Sequence, residues 1–223
     1  MENVQNSSRI NPYSDLYIYY FEGHLAPNTD LSAEEFIGNW EEDEFSFLFY
    51  SRPSRNKIHS LLTRQPQLTL LDEYHMTYTD WLGETPAPFQ AGSLVVAPPW
   101  DANKPFFQDV DKNRLILLDP GVVFGTGSHP TTRDCLAAIE LAFSEAAPQT
   151  VLDLGTGTGL LSLAAAKLGS KLTLAVDINS LAAVTANKNV RLNRIKNRIL
   201  TVQGKAEDFI DRPADLLIAN LHY

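Results

Sequence analysis

The chain has 223 residues, 44% of them apolar, and carries 27 acidic against 18 basic side chains for a net charge of −9. That apolar content excludes a disordered chain, and the negative charge argues against direct binding to nucleic acid phosphates. No run of about 18 apolar residues is present to span a membrane, and the polar stretch Met1–Ile10 lacks the apolar centre of a signal peptide.

Cys135 is the only cysteine, so an intramolecular disulfide is excluded and a reducing cytoplasmic location is expected. Leu16–Phe21 is aromatic and β-branched and reads as a strand. Ser32-Ala33-Glu34-Glu35 reads as a helix start, with a hydroxyl cap and early carboxylates. The acidic run Glu41–Glu44 reads as a solvated turn before a second strand, Phe45–Tyr50. Lys57–Arg64 is expected as a short helix stopped before Pro66, followed by extended segments at Leu68–Leu71 and Tyr74–Tyr78. This mixed order predicts a small α+β unit with antiparallel strands. His24, His59 and His75 are isolated, so no metal site is expected.

From Thr79 to Lys104 the chain becomes a proline-punctuated connector with one short strand, Leu94–Ala97. The domain boundary is placed just beyond it, giving an α+β domain with its connector over 1–105 and a second domain over 106–223. Arg114–Leu118 reads as a strand entering the loop Asp119-Pro120-Gly121 to Thr132, rich in glycine and hydroxyls. Thr131 or Thr132 is expected to cap a helix to about Ala146, with Leu136, Ile139 and Phe143 buried and Cys135 beside them.

Val151–Leu154 then rises as a buried strand into Gly155-Thr156-Gly157-Thr158-Gly159, and Leu160–Leu168 reads as a helix. A glycine turn between strand and helix offers backbone N–H groups to a polar ligand. The glycines run G-x-G-x-G, and Leu160 occupies the third glycine position of the dinucleotide fingerprint, which argues against a nicotinamide dehydrogenase. Asp153 beside the turn would repel a pyrophosphate but suits an ammonium, so the pattern fits S-adenosylmethionine. The next buried strand, Leu172–Val176, ends at Asp177, at the usual distance of about 20 residues for an acid that binds two ribose hydroxyls. Asn179-Ser180 opens a helix carrying Ala183, Ala186 and Val190 on one face. Ile199–Val202 and Leu216–Ala219 follow as strands, the last ending at Asn220. Short apolar strands alternating with helices indicate a parallel α/β sheet whose ligand lies beyond the strands' carboxyl ends.

These residues resemble the PrmA-type methyltransferases, which use S-adenosylmethionine to methylate amino groups of large-subunit ribosomal protein eleven. The resemblance begins near Trp81, includes Pro98-Pro99-Trp100, and is most specific at Asp119-Pro120-Gly121 with Phe124-Gly125-Thr126-Gly127-Ser128-His129-Pro130-Thr131-Thr132. It implies a Rossmann-like class I methyltransferase domain, here with its first four strands, preceded by a ferredoxin-like domain that recognises a basic ribosomal protein. It also implies that Thr132, Gly155, Asp177 and Asn220 contact the cofactor and that Asp153 and Gly157 shape its pocket. Phe124 and Tyr223 are read as substrate contacts, and Asn220 as the catalytic residue that orients the amine.

Two features depart from the family pattern. The chain reads Asn220-Leu221-His222-Tyr223 where small aliphatic residues are usual. Asn-x-x-Tyr resembles the motif of enzymes that methylate planar or amide nitrogens, so a small molecule or amide nitrogen is the alternative substrate. The family sheet has seven strands, so the chain is expected to be a fragment of a longer protein. A non-catalytic cofactor-binding scaffold is the third reading.

Overall fold

The computed structural model describes residues 14–221 except Ser32, Glu84, Asn103, Gln108, Ile210 and Arg212. Among the described residues two compact units emerge, one from 14–85 with Asn179–Leu181, the other from Pro86–Ile178 and 182–221.

The first unit is an antiparallel sheet in the order β2-β3-β1-β4, formed by β1 (Asp15–Glu22), β2 (Phe36–Glu42), β3 (Phe45–Tyr50) and β4 (Thr69–Thr77). Alternation along the strands sends Tyr19, Phe21, Leu48 and Tyr50 to one face, where Ile58 and Leu61 of α1 (Arg55–Arg64) complete a core. Tyr19 ties the helix entrance down by accepting a 2.7 Å bond from the Ser54 N–H.

The helix expected from Ser32 onward is not formed by the described residues there. Glu34 and Glu35 make a turn and Phe36 already pairs with Tyr50, so cross-strand packing of aromatic residues outweighs local cap signals; Ser32 lies outside the described residues. The two extended segments at 68–78 join into the single strand β4. It stops because Thr77 and Asp80 form a reciprocal capping box that starts the short helix α2 (Tyr78–Leu82), ended by Gly83 at φ 74°.

In the second unit, β5 (Phe89–Ala91) and β6 (Leu94–Ala97) form a hairpin, and β6 pairs in parallel with β7 (Leu115–Leu117). The connector thus belongs to this unit only from Pro86 on, and Leu94, Val96 and Ile116 lie in the unit's core. Helix α3 (Pro130–Glu145) leads to a parallel sheet of β8 (Thr150–Leu154), β9 (Leu172–Asp177), β10 (Ile199–Gln203) and β11 (Leu216–Ala219). Helix α4 (Leu160–Leu168) follows β8 and is buried from Leu160 to Ala166, and α5 (Ser180–Leu192) links β9 to β10.

The strand order is β10-β9-β8-β11. The chain moves outward on one side of β8 and returns to its other side for β11. The carboxyl ends of β8 and β11 therefore flank a topological switch point, where such sheets open a crevice. No helix among the described residues is long and apolar enough to cross a membrane.

Candidate functional site

The glycine turn after β8 holds Gly155, Gly157 and Gly159 at φ 70°, 55° and 85°, a left-handed run that L side chains rarely adopt. The end of β9 anchors it, because the Val176 carbonyl accepts from both the Gly155 N–H (2.8 Å) and the Thr156 N–H (2.9 Å). Beneath the turn Asp153 is 1% exposed, and its Oδ2 accepts from the Thr156 hydroxyl at 2.7 Å and the Ser162 hydroxyl at 2.6 Å. Its carboxylate thus staples β8 to α4. Burial pushes its pKa up, the two hydroxyls and the Ser162 N–H oppose this, and the nearby Asp177 charge adds to the rise.

A carboxyl group raised in the folded state favours the protonated native form. Its stabilising contribution is complete below its ordinary value of 3.8 and is lost as pH rises through the higher folded value. Asp153→Asn, which keeps the shape and an acceptor oxygen, is expected to lack that loss. Denaturant midpoints of the two proteins measured from pH 4 upward should therefore diverge, the native protein losing relative stability. Parallel curves would mean that Asp153 titrates as it does unfolded.

At the tip of β9 the Asp177 Oδ2 accepts from the Gly157 N–H at 2.9 Å, joining two of the expected site residues. Ile178 follows immediately and is 66% exposed, an apolar side chain left at the crevice edge. Across the switch point the Asn220 Nδ2 donates to the Thr132 hydroxyl at 3.3 Å, so that pair also meets. Leu221 packs on Gly155, where a methyl group on the backbone would collide with its side chain. Tyr223 lies outside the described residues.

The loop between β7 and α3 lies against the glycine turn. The Phe124 carbonyl accepts from the Thr158 N–H at 3.2 Å, and the Gly125 carbonyl from the Thr158 hydroxyl at 2.6 Å. Phe124 is 71% exposed. Neither Thr131 nor Thr132 caps α3. Pro130 takes the first helical position, where its fixed φ and missing N–H do no harm, so the cap falls to His129, whose Nδ1 faces the Thr131 N–H at 3.3 Å. Thr132 is thereby placed inside the first turn, buried, with its hydroxyl turned to Asn220.

Sequence reasoning missed Asn189 of α5 and Asn193 in the turn that follows it. Asn189 accepts from the Asp119 N–H through Oδ1 and donates through Nδ2 to the carbonyls of Asp119 and Thr158, each at 2.9 Å. One turn later Asn193 pairs in the same way with the Leu117 N–H (2.9 Å) and carbonyl (2.7 Å). Amides spaced i, i+4, the first on the helix face that carries Ala186 and Val190 and the second just past the helix end, were the available signal. Among the described residues, no group of three or more His, Cys, Asp or Glu side chains is arranged to hold a metal.

The parallel sheet with a glycine turn at its switch point defines an α/β protein of the Rossmann-like class. The chain belongs to the ribosomal protein L11 methyltransferase (PrmA) family, which residues 41–222 match. The ribosomal protein L11 methyltransferase of Anoxybacillus flavithermus is 40% identical over 128 residues, covering 57% of this chain and 39% of the relative. That of Clostridium botulinum (strain Eklund 17B) is 43% identical over 128 residues, with the same coverage of 57% and 39%. The crystal structure of ribosomal protein L11 methylase from Lactobacillus delbrueckii subsp. bulgaricus aligns with a TM-score of 0.50 and 35% identity, over 60% of this chain and 66% of that one. The match therefore takes in 39% of the length of these two sequence relatives.

Proposed function

We propose that this chain carries the cofactor site of an S-adenosylmethionine-dependent N-methyltransferase whose substrate is a basic ribosomal protein, of the L11 type for which its relatives are named. The observation that carries the reading is the convergence of four expected residues at one sheet edge, Gly157 with Asp177 and Thr132 with Asn220. The residues suit the cofactor. The Asp177 carboxylate accepts two ribose hydroxyls at once, Ile178 offers an apolar surface to the adenine, and the left-handed glycines let the backbone come close to the amino-acid tail. Leu221 must turn aside for that tail to reach Gly155. Asp153 acts from below, by holding the turn in shape.

When bound, S-adenosylmethionine supplies an activated methyl group on a sulfonium, so the protein's task is alignment and exclusion of water. With Nδ2 committed to Thr132, the Asn220 Oδ1 accepts from the substrate amine and aims its lone pair. An amide takes up no proton. A lysine substrate therefore loses its proton to water or to the protein field, at about 4 to 5 kcal/mol at pH 7 from a reference pKa of about 10.4.

The first unit is read as a ferredoxin-like domain for recognising the protein substrate. Its strand order and the α1 crossover between β3 and β4 support this. The acidic end of β2 (Glu41, Glu42) with its turn into β3 (Asp43, Glu44) and the net charge of −9 suit a basic partner rather than nucleic acid. A cytoplasmic location fits the single, partly buried thiol of Cys135.

Two measurements test the reading. Calorimetry is expected to detect binding of S-adenosylmethionine and S-adenosylhomocysteine, and binding of neither would end it. In methyl transfer from labelled cofactor to purified L11, Asn220→Ala is expected to lower kcat about tenfold, the worth of one buried hydrogen bond. Cofactor affinity should change less than about threefold on the same scale. Unchanged turnover would remove Asn220 from the reaction.

A further inference from the structure

We propose that Asn189 is a positioning residue for the cofactor site, clamping the loop that begins at Asp119 onto the glycine turn. The inference rests on the cofactor reading above. Asn189 is 0% exposed, and its amide joins three segments: α5, which carries it, Asp119 at the start of the loop, and Thr158 at the end of the turn.

Thr158 is also fully buried, and each of its polar groups is used at this junction. Its N–H and hydroxyl hold the carbonyls of Phe124 and Gly125, while its carbonyl is held by Asn189. The Asp119 carboxylate tightens the same loop by accepting from the Gly121 N–H at 3.1 Å. Only a neutral amide supplies one acceptor and two donors in this arrangement; a carboxylate would lose both donors, and an apolar side chain all three bonds.

Asn193 provides an internal comparison. It makes the same pairing one turn further on, to Leu117 within β7, and its Nδ2 also donates to the Asn189 backbone carbonyl at 2.8 Å, but these bonds go to β7 and α5 rather than to Asp119 or Thr158. Loss of Asn193 therefore loosens the sheet edge, whereas loss of Asn189 releases the loop itself. A loop that is competent only part of the time raises the apparent Kd in proportion to the competent fraction it has lost.

The test compares Asn189→Ala and Asn193→Ala in the intact protein. It uses thermal melts, hydrogen exchange of the amides at 119–128, and calorimetry with S-adenosylhomocysteine below both melting points. Asn189→Ala is expected to speed exchange across the loop and to raise Kd about tenfold, the loss of buried hydrogen bonds. Asn193→Ala should lower the melting temperature with Kd within about twofold. If Asn189→Ala does not fold, Asn189→Asp, which keeps an acceptor for the Asp119 N–H but loses both donors, should reproduce the selective loss. Equal Kd values in wild type and the folded Asn189 variant, or equal weakening by Asn193→Ala, would overturn the clamp alone. A wild-type protein that binds no S-adenosylhomocysteine would instead overturn the cofactor reading, and the clamp's role with it.

Discussion

Asp177→Ala is expected to weaken S-adenosylmethionine binding about a hundredfold, while Asp177→Asn weakens it about tenfold. The carboxylate has two tasks at the tip of β9. One is visible in the fold, where its Oδ2 accepts the Gly157 N–H at 2.9 Å. The other is the proposed double acceptance from the ribose. Alanine abandons both and leaves a turn N–H without its acceptor, a loss of about 1 to 3 kcal/mol before any ligand contact is counted. Hydrogen bonds to a charged acceptor are worth about 1.5 to 3 kcal/mol, so a total near the 2.8 kcal/mol of a hundredfold change is a conservative sum. Asparagine still accepts from Gly157 but presents one oxygen and no charge to the sugar. Calorimetry on the three proteins at one pH decides the matter; equal affinities would sink the ribose assignment. The Asp177 charge also contributes to the raised pKa of Asp153. In Asp177→Asn, the pH at which Asp153 loses its stabilising effect should consequently fall.

The cofactor edge of the sheet was legible because its signals are local. Val151–Leu154 and Leu172–Val176 are short and mostly apolar, broken only by the buried Asp153 and Thr173. Each ends in a residue whose chemistry differs sharply from the strand before it, the glycine turn in one case and Asp177 in the other. Burial on both faces of a parallel sheet writes that pattern directly into the chain. The same holds for β11 and Asn220.

What escaped sequence reasoning depends on partners that carry no sequence signal. Asn189 and Asn193 bind backbone atoms of Leu117, Asp119 and Thr158, and a backbone atom is the same whatever residue bears it. Two amides four residues apart, one on a helix and one just past its end, read as a solvated stripe until the loop is seen against them. Strand β2 was missed for the opposite reason. Ser32-Ala33-Glu34-Glu35 carries strong local helix-start signals, and the decision lay with residues far along the chain, where Trp40 faces Phe47 and Phe36 faces Tyr50. The cap of α3 went to His129 rather than to a threonine because one proline outweighed two hydroxyls.

Gly157→Ala is expected to have the largest effect of any single change, lowering cofactor affinity by more than a hundredfold in a protein that still folds. Two penalties coincide there. The residue sits at φ 55°, where an L side chain costs about 1 to 2 kcal/mol. A methyl group would also lie 2.7 Å from the Phe124 carbonyl oxygen, a backbone atom that cannot rotate away. The loop must therefore retreat, taking with it the 3.2 Å bond from the Thr158 N–H to that same oxygen. The 2.9 Å bond that orients Asp177 shifts as Gly157 moves. Gly169 separates strain from crowding, since it stands at φ 128° after α4 with nothing within 4 Å of an added methyl group. Gly169→Ala should show strain alone, a lower melting temperature with cofactor affinity intact. Gly157→Ala should melt within a few degrees of it, as about 1 kcal/mol of difference permits in a domain this size, yet bind S-adenosylmethionine weakly or below detection. If the two variants bind equally well, the turn does not hold the cofactor, because the close approach of Phe124 to Gly157 would then have no bearing on the ligand.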